Sequence, residues 1–465
     1  MLVLRPRVSG TTLTQWLYEE IRNAILDGRL RRGAPIPTTR WLASEYTVSR
    51  RIVVNVFAQL RDEGYLEARV GSGTRVSQNV SEDFLPAGAK RQSMPVEVAP
   101  TRRRPARPFH AFQPALTEFP IDIWNRLTGS CFRKLTAADL AGGDAAGYRP
   151  LRIAISDYLG SSRGVACTPE QIVVTSGAQN GLDMLARALL RPNDKVWVED
   201  PGYPDAVEIF RLAGAAVVPV AVDQHGLNPV IGRAKCPRPK AIYLTPAHQF
   251  PLGVTLRLDR RLDLLQWTRR ERVPVIEDDY DSEFRFVGKP VPAMKGLVGS
   301  EHIFLLGTFS KTLFPALRVG FVVVPDTSLD EVLKLRLQVE RYPPTLQHAV
   351  LASFLAQGHF GKHVRRMREL YGSRLRALQQ DVDRYLGGVL KVADIDAGLS
   401  APAFLLNKMT SRGAAERARR RDLDVTPLDR YAIDRQDIHG LLLGFAAFNE
   451  RVIRKAVIDL ARALE

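Results

Sequence analysis

The stretch GTFSKTLFPALRVG, residues 307–320, sets Lys311 directly after Ser310, with Arg318 seven positions on. A lysine that is desolvated or held near cations loses proton affinity and becomes an amine able to form an imine with an aldehyde. Thr308 and Ser310 add hydroxyls, and Arg318 adds a permanent cation that can pair with a dianion. An ordinary surface lysine fits the same letters, so other segments must decide.

Three further segments carry polar groups just after apolar, strand-like runs. In TSGAQNGLDML a strand turns through Ser176 and Gly177 into a helix. The N–H groups near Ala178 and Gln179 then meet the positive end of that helix and suit a phosphate. In VEDPGYPDAVEIF, Tyr203 follows a Pro-Gly turn and can offer a ring face, although a turn tyrosine packed on its own loop fits equally. In VPVIEDDYDSEF, three acids follow an apolar strand; Asp278 can hold a proton on a heterocyclic nitrogen, and Tyr280 lies two residues further. Acid clusters of this kind also bind metals, but no histidine or further carboxylate stands at a helpful spacing, so metal ranks low. An amine, an acid, a ring and phosphate donors are together what pyridoxal 5′-phosphate requires.

These groups need a scaffold that brings strand ends together. QIVVTSG, KVWVEDPG, AIYLTPAH, VPVIEDDYD, HIFLLGTFSK and RVGFVVVP are short β-branched runs separated by amphipathic helical stretches. Strands alternating with helices predict an α/β fold with a mainly parallel sheet, whose ligands bind beyond the carboxyl ends of the strands. This large subdomain is expected over about 150–345. Longer helices and short strands over about 346–465, with part of 109–149, predict a smaller α+β subdomain.

The first 78 residues read differently. TLTQWLYEEIRNAILDGRL has helical apolar spacing; RRGAPIPTTR is a loop; Thr38 or Thr39 can cap RWLASEY; and Ser49 can cap SRRIVVNVFAQLRDEG. YLEARVGSGTRVS then predicts two short strands around a glycine-rich tip. Three helices and a hairpin make a winged helix-turn-helix, whose third helix can enter a major groove. A small helical cap with solvated arginines is the competing plan. Residues 79–108, rich in Pro, Ala and Arg, are expected to be a linker.

The 465 residues carry a formal net charge of +16. Residues 1–80 hold 12 Arg and no Lys against 7 acids. Such a surplus attracts polyanions such as nucleic acid, and it also serves solubility. Three cysteines without C-x-x-C spacing, no signal-peptide pattern and no apolar run of spanning length predict a cytoplasmic protein.

On these motifs, residues 109–465 resemble the fold-type-I aminotransferases, and AILDGRLRRGAPIPTTRWLASEYTVSRRIVVNVFAQLRDEGYLEARVGSGTRVS resembles the GntR family. Joined in this order, the two resemble the MocR/GabR family of bacterial transcriptional regulators. The resemblance implies a regulator that binds pyridoxal 5′-phosphate and senses it, alone or as an adduct with an amine or amino acid. It implies Lys311 as the Schiff-base lysine, Asp278 at the pyridine nitrogen, Tyr280 at the phenolic oxygen and Tyr203 stacked on the ring. Ala178, Gln179, Ser310 and Arg318 would hold the phosphate. Arg40, Ser49, Arg50, Arg51 and Gly71 would touch double-stranded operator DNA. A homodimer, head-to-tail, acting on the nucleoid is further implied. Three positions depart from the aminotransferase pattern: Phe250 stands for an asparagine in FPLG, Gly142 for a tyrosine that reaches a neighbouring subunit, and Leu442 for the carboxylate-binding arginine. Arg430 is the candidate substitute for that arginine. The alternative function is an active aminotransferase with an appended DNA-binding domain, which Leu442 counts against.

Overall fold

A computed structural model describes residues 4–7, 10–69, 73–78, 106–288, 291–340 and 343–465. The chain forms two compact units, Met1–Arg103 and Arg104–Glu465. Gly71 and nearly all of the expected linker lie outside the described residues.

In the first unit, α1 (Leu13–Leu26) buries Leu17, Ile21, Ala24 and Ile25. α2 (Thr39–Glu45) starts at Thr38, whose hydroxyl accepts from the Trp41 N–H at 3.3 Å. α3 (Arg50–Asp62) starts at Ser49, whose hydroxyl accepts from the Ile52 N–H at 3.3 Å. Each cap satisfies a donor that the helix itself leaves open, worth about 0.5–2 kcal/mol. Val53, Val56, Phe57 and Leu60 of α3 pack with Leu42, Leu66 and Val76 into one core. β1 (Leu66–Arg69) and β2 (Gly73–Val76) pair antiparallel, with Leu66 opposite Val76.

The second unit is built on an eight-stranded sheet. Its strands are β3 (Ile172–Thr175), β4 (Lys195–Asp200), β5 (Ala216–Asp223), β6 (Gly226–Leu227), β7 (Ala241–Leu244), β8 (Val275–Asp279), β9 (Ile303–Thr308) and β10 (Gly320–Val323). Their order is β3-β10-β9-β8-β7-β4-β5-β6. The run from β9 to β5 is parallel, and β10 is antiparallel to both its neighbours. β3, β7, β9 and β10 are buried along their whole length, which is why their sequences are continuous apolar runs rather than alternating ones.

A second sheet, antiparallel, joins β11 (Leu390–Val392), β12 (Ser400–Leu405), β13 (Thr426–Pro427) and β14 (Gly440–Gly444) in the order β11-β12-β14-β13. Helix Thr345–Ala356 packs Val350, Leu351 and Phe354 with the large-sheet residues Ile172 and Val174. The 28-residue helix His359–Leu386 runs from that cluster, through Phe360 and Val364, into the core of the small sheet, through Met367 and Tyr371. Phe109, 1% exposed, joins the small core and bridges to Gly444. No described helix is long and apolar enough to cross a membrane.

Close backbone approach at one point of the large sheet sets where the ligand-facing turns lie. At Gly320 a Cβ would stand 2.8 Å from the Gly307 carbonyl oxygen and 2.9 Å from the Gly177 carbonyl carbon. Only glycine lets β10, β9 and the turn before helix Ala178–Leu189 meet there. Gly320→Ala is therefore expected to lower stability by about 1–3 kcal/mol, the range for overpacking a tight interior, as read by denaturant titration.

Candidate functional site

A cavity of about 650 Å³ opens beyond the strand ends of the large sheet and is lined by residues of both subdomains. β9 ends at Thr308 and the chain turns, so Lys311 faces this cavity. Its ammonium donates to the Phe112 carbonyl at 3.4 Å and stands 5.6 Å from the centre of the Phe112 ring. Burial lowers the Lys311 pKa below the ordinary lysine value, and Asp281 and Asp205 oppose that shift without cancelling it.

Asp278 lies at the end of β8, 5% exposed. The Tyr243 hydroxyl on neighbouring β7 donates to its Oδ2 at 2.7 Å. Its Oδ1 is buried without a hydrogen-bond partner. Burial pushes its pKa up to about 7; Asp279 and Asp281 add to the rise, and the Tyr243 bond works against it. A carboxyl group in this state readily takes a cationic N–H donor.

Helix Ala178–Leu189 begins at Gly177, φ +98°, with no side-chain cap, so its first N–H groups stay open to a ligand. A Cβ on Gly177 would lie 3.4–3.5 Å from the Arg318 guanidinium, so that cation sits against the helix start. Arg318 is exposed and pairs with no carboxylate among the described residues. Ser310 Oγ is buried without a partner. Gln179 and Tyr203 converge on one acceptor, Asp205 Oδ2, at 2.6 and 2.9 Å.

Aromatic rings form the remaining wall. Phe250 stacks on Phe112 with centroids 4.8 Å apart, and it meets Tyr203 and Tyr431 edge-on at 5.2 and 5.1 Å. Tyr280 stands 6.1 Å from Phe250, and its hydroxyl lies 3.2 Å from His248 Nδ1. That nitrogen in turn lies 2.8 Å from Asp281. Phe250 is thus the hub of an apolar wall.

The small subdomain reaches the cavity because Asp200, at the end of β4, accepts backbone N–H groups of Ile433, Asp434 and Arg435 at 2.8, 2.9 and 3.2 Å. This draws the preceding turn, with Arg430 and Tyr431, onto the cavity. Leu442 is fully buried, packed with Leu428 and Ile438, and does not line it. Gly142 has φ +137°, a conformation that a tyrosine would rarely adopt.

Lys311, Asp278, Tyr280, Tyr203, Ala178, Gln179, Ser310, Arg318 and Arg430 therefore line one cavity. In the first unit, Arg40, Arg50 and Arg51 are exposed at the starts of α2 and α3, whereas the Ser49 hydroxyl is engaged as the cap of α3. Sequence reading missed Phe112, Tyr243, Asp205, His248 and Asp281. A tyrosine inside the apolar run AIYL was a signal for Tyr243; nothing near Phe112 tied it to a lysine 199 residues on.

Comparison with known proteins follows this division. Residues 13–76 match the family model of bacterial regulatory proteins of the gntR family, and residues 138–400 match aminotransferase class I and II. The probable rhizopine catabolism regulatory protein MocR of Rhizobium meliloti is 37% identical across 100% of this chain and 96% of its own length. The pyridoxine biosynthesis transcriptional regulator PdxR of Corynebacterium glutamicum is 32% identical across 100% and 98%. Among solved structures, Pyrococcus horikoshii kynurenine aminotransferase, in complex with PMP, superposes with a TM-score of 0.71 at 25% identity, over 77% of this chain and 90% of that one. The chain belongs to the MocR/GabR family of helix-turn-helix transcriptional regulators, in which a GntR-type DNA-binding segment precedes an aminotransferase-fold segment.

The buried acid yields a pH test. The folded pKa of Asp278, about 7, lies above its ordinary value of 3.8, so the folded state binds more protons between these pH values. Through this group, stability falls as pH rises from about 4 to about 7. In ligand-free protein, Asp278→Asn is expected to gain stability relative to the parent at about pH 8 compared with about pH 5. Unfolding midpoints of both proteins at the two pH values check this.

Proposed function

We propose that this chain is a DNA-binding transcriptional regulator whose aminotransferase-fold segment binds pyridoxal 5′-phosphate and senses it, alone or with an amine. One observation carries the cofactor reading: a buried carboxylate oxygen without a partner, Asp278 Oδ1, lines the same cavity as a lysine whose pKa burial has lowered. The partnerless Ser310 hydroxyl and the free guanidinium against Gly177 support it as a phosphate cradle.

In this reading the cofactor supplies an electrophilic aldehyde on an electron-withdrawing ring. Lys311 would supply the amine that holds the cofactor through its aldehyde carbon, the carbonyl oxygen leaving as water. Asp278 holds a proton at the ring nitrogen, with Tyr243 orienting the carboxylate. Tyr280 holds the phenolic oxygen, and Tyr203 covers the ring. Ala178, Gln179, Ser310 and Arg318 bind the phosphate. Arg430, exposed at the cavity and in no ion pair among the described residues, binds an effector carboxylate. The burial of Leu442 in the core argues against a standard amino-acid transaminase, because no arginine at that position orients the substrate.

In the domain plan we propose, residues 1–78 bind DNA, 79–108 link, and 109–465 sense. The effector would act by binding two arrangements of the protein unequally, shifting DNA affinity by that difference. A head-to-tail homodimer, working on nucleoid DNA in the cytoplasm, would read two half-sites. Arg40, Arg50, Arg51 and Gly71 would contact the duplex, with Ser49 at the start of α3.

Protein loaded with pyridoxal phosphate is expected to show a visible absorption band that Lys311→Ala removes. An identical spectrum in the variant would dismiss the lysine assignment. Arg50→Ala is expected to weaken specific DNA binding by about 1–3 kcal/mol, the range for a base-contacting arginine, measured by titration of a labelled duplex.

A further inference from the structure

α3 has two distinct faces. Val53, Val56, Phe57 and Leu60 are buried, whereas Arg50, Arg51, Val54 and Asn55 are exposed. Positions three and four apart are neighbours on a helix surface, so these four form one patch over its first two turns. The patch holds two cations and no acid. The acids of this segment, Asp62 and Glu63, lie at the far end, where Glu63 accepts from Tyr18 and Gln59.

Val54 is 45% exposed within this patch. Isolated apolar side chains on a surface are common, so exposure alone decides nothing. Position does. Val54 is the fifth residue of α3, one turn beyond Arg50 and Arg51 and beside Asn55, in the N-terminal part that faces base edges when such a helix enters a major groove. Valine is also a weak choice for an exposed helical site: its branched Cβ restricts χ1 and lowers helix propensity. The major-groove edge presents one apolar group, the thymine 5-methyl, and a short branched side chain is complementary to it.

We propose that Val54 reads sequence by packing against the 5-methyl group of a thymine in each half-site, between phosphate or guanine contacts made by Arg50 and Arg51. This rests on α3 being the major-groove helix.

The test uses full-length protein and a duplex recovered from a random-sequence pool. Each thymine is replaced in turn by deoxyuracil, which removes only the methyl group. The parent protein is expected to weaken about fourfold at one thymine per half-site, from about 0.8 kcal/mol per buried methyl-sized group and about 1.4 kcal/mol per tenfold. Val54→Ser, with an unchanged unfolding midpoint, should bind thymine and uracil equally there. Asn55→Ala should keep the discrimination. If no thymine methyl matters, or if the discrimination survives in Val54→Ser, the assignment of Val54 is overturned. Should Arg50→Ala still weaken binding in that case, α3 remains the reading helix and Val54 alone is discarded. If the pool yields no duplex, the DNA-binding reading falls together with the proposal.

Discussion

A carboxylate taken out of water with one acceptor oxygen left unpaired raises the free energy of the folded chain. Asp278 is in that position: it ends β8, its Oδ2 accepts from Tyr243, and its Oδ1 has no partner. Its neighbours Asp279 and Asp281 add negative charge nearby; Asp279 pairs with Arg163 at 2.7 Å, and Asp281 lies 2.8 Å from His248 Nδ1. The fold retains this arrangement because β7, β8 and β9 run parallel and end at one level, with Tyr243, Asp278 and Lys311 facing a shared cavity. A cationic heterocycle is the kind of group that would relieve the strain, and the depressed basicity of Lys311 complements it.

The rest of the cavity follows from that constraint. A polar floor made of strand ends is walled by rings from distant segments, with Phe250 touching Phe112, Tyr203 and Tyr431. Apolar walls exclude water and strengthen every electrostatic term inside. They also leave few groups that could grip a polar effector. Arg430 is one, and it comes from the small subdomain, whose position depends on three N–H groups held by Asp200.

The DNA-facing segment solves a different problem. Its core is small, so its geometry depends on local devices: three hydroxyl caps, a short hairpin and one apolar cluster. Those devices leave the outer face of α3 free of structural duties, and the face can then vary to suit a sequence. The excess of arginine over acids along residues 1–80 supplies attraction to phosphate whatever that sequence is.

Local patterning determined a good deal. Helix caps at Ser49 and at Thr38 or Thr39, the α3 core positions and the alternation of strands with helices were all legible, because each depends on neighbours within one turn or one strand. The lysine, the acid, the glycine turn and the ring at strand ends were legible too, since parallel strands in an α/β sheet end on one side. Tertiary structure alone decided the rest. Phe112 meets Lys311 across 199 residues, and Asp200 holds a turn 233 to 235 residues away. It also sent Leu442 into the core and Arg430 to the cavity, since facing depends on how β14 pairs with β12 and β13. Contacts over such separations are set by packing and register, which no short run of residues encodes.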